Sequence, residues 1–73
     1  MNNMIEYLFR FTYEDLDNND CYDIEVSVSC DDYYDAWIQA TRRAFDHATV
    51  WLEDGKSIEL KRIEIIAIFN PKI

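Results

Sequence analysis

The chain of 73 residues holds one glycine, Gly55, and one proline, Pro71, with no Ser-rich run and no repeat. Flexible-linker and collagen-like readings fall away at once. With 49% hydrophobic and 15% aromatic residues, the composition is not that of a disordered chain, despite its charge. Histidine occurs once, at His47, and cysteine twice, at Cys21 and Cys30. Two thiols make no disulfide framework, and reduced thiols in a cytoplasmic protein are expected. No apolar run approaches the roughly 18 residues that would cross a membrane. The opening MNNMIEYLFR has no basic n-region and soon meets charge, unlike a signal peptide. Residues 1–73 are expected to form a single acidic α+β domain with one small core.

Positive charge is scarce where negative charge is dense. Residues 1–35 carry ten acids and one base, Arg10, a net of −9, while residues 36–73 carry five acids and six bases. The formal total is −8. Such a field disfavours direct contact with nucleic acid or an anionic membrane and favours a basic protein surface. It also serves solubility alone. The densest stretch is EDLDNNDCYD, residues 14–23, with carboxylates at Glu14, Asp15, Asp17, Asp20 and Asp23.

Periodicity divides the chain into four elements. Residues 5–13 alternate, with Ile5, Tyr7, Phe9, Phe11 and Tyr13 on one face. Residues 15–19 are Asp- and Asn-rich and read as a turn. Residues 21–30 alternate again, with Tyr22, Ile24, Val26, Val28 and Cys30 inward, so the pair reads as an antiparallel hairpin. Residues 31–54 change to a helical period, placing Tyr34, Trp37, Thr41, Ala44, Ala48 and Leu52 within about 80° of arc. Trp37, Phe45 and Ala48 are the expected helix contribution to the core. Asp31 or Asp32 caps the start, and Gly55 stops the end. Residues 57–70 are β-rich but lose step, which a bulge near Lys61-Arg62 would reconcile, and Pro71 ends them. The expected fold is a small α+β two-layer sandwich of order β-β-α-β. One amphipathic helix packs on a three- or four-stranded, mainly antiparallel sheet. Strand order 2-1-3 follows if the last strand joins the first; a central third strand is the alternative.

The chemistry-bearing residues do not form a catalytic or metal pattern. DLDNND places Asp15, Asp17 and Asn19 at the first, third and fifth positions of a calcium loop. The sixth, Asp20, should be Gly, the twelfth, Val26, should be Glu, and no helix flanks it. Zinc wants four ligands closely spaced in pairs, and Cys21, Cys30 and His47 offer three scattered ones. His47 has no orienting carboxylate or oxyanion hole implied beside it. No enzyme activity, cofactor or metal is expected. The basic doublets Arg42-Arg43 and Lys61-Arg62 are ordinary helix and strand surface.

The acids themselves suggest a use. Asp23 and Glu25 lie about 6.6 Å apart on one strand face, a repeat similar to that of phosphates along a strand. Glu14, Asp15, Asp17 and Asp20 would continue the row around the turn, and Asp31, Asp32 and Asp35 would wrap it onto the layer edge. A basic groove built for DNA or RNA would accept such a ridge. Leu8, pointing outward, with Tyr13 and Tyr22 beside the turn, would supply apolar contact, joined by Ile66 or Ile68 if the last strand is adjacent. In size and composition the chain resembles the small acidic inhibitors carried by phages and mobile elements, including inhibitors of CRISPR effectors. The expected function is an acidic protein-binding inhibitor or adaptor, in its most specific form a nucleic-acid mimic. The alternative is a structural or homo-oligomeric accessory protein, for which a second copy of the chain is the partner and an apolar outer sheet face or an unprotected edge strand would be the sign.

Overall fold

The structure, a computed structural model, describes residues 4–69. Pro71, expected to end the last strand, lies outside the described residues. Strand β1 (Ile5–Asp15) turns into β2 (Asp20–Cys30), helix α1 (Tyr33–Glu53) follows, and β3 (Ile58–Phe69) closes the order β-β-α-β. The three strands form one antiparallel sheet in the order β2-β1-β3. The molecule is a rod, 48 × 19 × 16 Å along its principal axes.

Alternation in β1 and β2 sends Tyr7, Phe9, Phe11, Tyr13, Ile24, Val26, Val28 and Cys30 into one core. The opposite sheet face has no second layer among the described residues and carries the charges. The helix begins on Asp32, whose carboxylate accepts from the amide of Asp35 at 3.3 Å. It ends where Gly55, at φ +84°, lets the amides of Gly55 and Lys56 fold back on the carbonyls of Leu52 and Trp51. This is the paired-bond stop that a positive-φ residue after the C-cap makes available.

The helix is rotated from the expected orientation. Its buried residues are Ala36, Ala40, Ala44 and Ala48. Trp37 and Phe45, expected inside, are 37% and 61% exposed. Four alanines at four-residue spacing let the helix backbone settle close to the sheet, and bulky side chains on that line would hold it off. The contact falls mostly on β2, with less on β1 and little on β3. One helix about 10–12 Å across cannot cover all three strands.

The lost step in the last strand has two causes. The register against β1 shifts at Lys61, as the broken parity implies, and again at Ile66. The extra residues bring Ile58, Leu60, Ile63, Ile65 and Ile68 to the helix-side face, opposite Asp15, Tyr13, Phe11, Phe9 and Tyr7. Glu59, Arg62, Glu64, Ala67 and Phe69 take the outer face. Leu8 does point outward, but its β3 neighbour is Ala67. Ile68 shares the helix side with Tyr7, and Ile66 is the bulged residue.

Candidate functional site

Of the acids in residues 14–23, Asp15 stands apart. It is 1% exposed and organises the turn. Its carboxylate accepts from the Asp17 amide at 3.0 Å, the Asn18 side-chain amide at 3.1 Å and the Tyr22 hydroxyl at 3.4 Å. The backbone donation from Asp17 holds its pKa below the usual carboxylate range. The Asn19 amide donates back to the Asp15 carbonyl, with Asn19 at φ +61°. An Asp heading a tight turn does this commonly. Asp15 is therefore not a partner-facing carboxylate, which corrects its place in the expected ridge.

The other acids fall into three places. Asp17 and Asp20 are exposed at the hairpin tip. Asp23 and Glu25 are exposed on the outer face of β2, an edge strand. Asp31, Asp32 and Asp35 are exposed at the opposite end, beyond β2. An 11-residue strand separates the ends, about 33 Å at ~3.3 Å per step. The acids make a long, thin strip, interrupted by Ser27 and Ser29. Asp32 is partly engaged as the helix cap.

Base content separates the two sheet edges. β2 carries Asp20, Asp23 and Glu25 and no Lys or Arg. Arg10, in the central strand, reaches Glu25 at 3.4 Å and Glu64 at 3.9 Å. Lys61 joins Glu14 and Glu59, each at 3.4 Å, and Arg62 joins Glu64 at 3.6 Å. Glu14 is thus half-buried and paired, and its bond raises the Lys61 pKa. Thr12 donates to Asp23 at 2.9 Å, leaving the Asp23 charge unneutralised. Asp17, Asp20, Asp23 and Asp31 join none of these five ion pairs. Arg42, on the exposed side of α1, joins none either.

The two tyrosines belong to the core margin. Tyr13 is buried, its ring meeting Trp51 edge-on at 5.7 Å, and burial pushes its phenol pKa up. Tyr22 is half-buried, 5.0 Å from the Trp51 ring. Leu8 is half-buried between Ser27 and Ala67. None offers the broad apolar contact expected of it.

That contact exists elsewhere. A cavity of about 250 Å³ opens between α1 and β3, lined by Tyr13, Thr41, Phe45, Ala48, Leu52, Ile58 and Leu60. Exposed Ile65 and Ile68 continue the helix-side face of β3 beyond it. The sequence signal for it is the width of the apolar arc on α1, which includes an alanine line and an aromatic flank, more than one sheet contact can bury.

Among the described residues no three of His, Cys, Asp and Glu converge as a metal ion would require. His47 is exposed and Cys30 is buried, with the Gln39 amide 3.5 Å from its sulfur. Cys21 and Cys30 are free, at opposite ends of β2 and about 30 Å apart by strand rise, so no bond can join them within one chain. Among the described residues no helix is long and apolar enough to cross a membrane. No family model, curated protein or solved structure matches this chain.

Proposed function

We infer that the chain is an acidic protein-binding inhibitor or adaptor. Its hairpin tip and β2 edge dock on a basic surface, in the most specific form the nucleic-acid groove of another protein. The observation that carries this reading is the asymmetry of the sheet. The carboxylates of Asp17, Asp20, Asp23 and Asp31 run along one side outside the ion pairs among the described residues, while Lys61 and Arg62 are occupied on the other. The strand that carries the strip is about 33 Å long. That is close to the roughly 34–36 Å of one duplex turn. Arg and Lys that pair with phosphates also pair with carboxylates. Blocking a nucleic-acid-binding protein in the cytoplasm, as anti-defence inhibitors of CRISPR effectors do, is an activity such a strip supports without catalytic groups.

The test is capture of partners from the native cell on the tagged chain, at low and high salt, with nucleic acid as competitor. A basic partner released by either salt or DNA or RNA supports the reading. A partner held equally in high salt and untouched by nucleic acid contradicts it. The alternative, a homo-oligomeric accessory protein, draws on a different surface, the open side at β3.

A further inference from the structure

We propose that β3 is a self-pairing edge, and that two copies of this chain join β3 to β3 about a two-fold axis at Ile63 into one antiparallel six-stranded sheet. The two sheet edges differ in a way that points here. The β2 edge is guarded by three acids without a base, and Arg43 donates to the Ser27 carbonyl at 2.9 Å. Such devices keep an edge from pairing. β3 has 12 residues and a neutral set of charges, Glu59, Lys61, Arg62 and Glu64. Exposed Leu60, Ile65, Ile66, Ile68 and Phe69 complete a long apolar edge.

The strand is complementary to itself in only one sensible register. Directly opposite residues of an antiparallel pair share a sheet face. With Ile63 facing Ile63 of the second copy, Leu60 meets Ile65, and Ile58 meets Ile68, all on the helix side. On the outer face Arg62 meets Glu64 twice, and Glu59 meets Ala67. The bulge at Lys61 in one copy is absorbed by the bulge at Ile66 in the other, so the faces stay matched beyond both. Moving the axis to Glu64 would oppose two like charges and set Arg62 against the bulged Ile66. Glu64 Oε1 adds a separate sign. It is shielded from solvent and, among the described residues, accepts no hydrogen bond, only longer ion-pair contacts from Arg10 and Arg62. A guanidinium from the second copy would satisfy it. Phe45 and Leu52, on the α1 wall, contribute no strand pair to this contact.

The net charge of −8 on each copy opposes association at long range, so screening strengthens the dimer. That sign is opposite to the one expected for docking of the acidic strip on a basic partner, so the two readings fail independently. The experiment is analytical ultracentrifugation of the full chain at low and high salt, with circular dichroism to follow the fold. Wild type should dimerise, more tightly in high salt. Arg62→Glu, at an exposed outward position, should weaken the dimer by about a hundredfold or more, since two close charge pairs become repulsive. Arg62→Lys should keep it, and Phe45→Ser should leave it unchanged. In a Cys21→Ser background, Ile63→Cys should link covalently to its own copy on mild oxidation, and Glu59→Cys should not. A monomer at every attainable concentration, a dimer indifferent to Arg62→Glu, or one lost with Phe45→Ser would each overturn the proposal.

Discussion

The amide of Asp17 donates to the Asp15 carboxylate at 3.0 Å, so the buried acid of the hairpin serves the turn and its neighbours serve the surface. Asp15→Ala should lower the melting temperature more than Asp17→Asn, Asp20→Asn or Asp23→Asn, measured by thermal unfolding. Its pKa is depressed in the folded state. Its stabilising share is therefore present above the ordinary carboxylate pKa and is lost as pH falls through the lowered folded value. Asp15→Asn should flatten the acid limb of the stability curve. An unchanged limb would mean that other carboxylates set it.

Ala44 and Phe45 are neighbours in sequence and opposites in environment, one fully buried and one 61% exposed. Ala44→Leu should destabilise the fold by about 1–3 kcal/mol through overpacking. Phe45→Leu should lose less than about 1 kcal/mol, since the ring stands mostly in water. Denaturant titration of both variants checks the rotation of α1 directly. The reverse order would contradict the alanine line as the face packed on the sheet.

A methyl group added at Gly55 would meet nothing within 4 Å, yet the backbone there sits at φ +84°. Gly55→Ala should therefore cost about 1–2 kcal/mol from backbone conformation alone, and Gly55→Asn less, because Asn tolerates that region. Thermal or denaturant unfolding compares the two, and equal losses would point to sterics.

Cys21 and Cys30 should remain unlinked within one chain even in oxidising buffer, because the rigid length of β2 separates them. Rapid alkylation should label exposed Cys21 first and buried Cys30 only as the fold opens. Mass spectrometry of the native protein reads both rates.

The hairpin and the helix are legible in the sequence because period-2 and period-3.6 patterns do not overlap in this chain, whereas the strand order is decided only by the pairing of β3 with β1. The bulge at Lys61 is legible from broken parity. The one at Ile66 is not, since in a run of isoleucines and alanine either face looks apolar. Helix rotation escapes periodicity because hydrophobicity weighs Trp37 and Phe45 above alanine, whereas closeness to the sheet is set by the smallest side chains. The acidic strip is legible as composition. The burial of Asp15 is not, because a turn-organising Asp and a surface Asp are the same letter. The open side at β3 follows from the width of three strands against one helix, a quantity that no local pattern carries.

The most direct measurement of the acidic-docking account is the association rate of the chain with its captured partner against salt. Wild type is compared with the combined Asp17→Asn, Asp20→Asn, Asp23→Asn and Glu25→Gln variant. The account predicts a wild-type rate that falls steeply with salt. The variant, folded as before, should associate about 10- to 1,000-fold more slowly at low salt, the range that electrostatic steering supplies. At high salt the two should converge. Equal rates at low salt would contradict it.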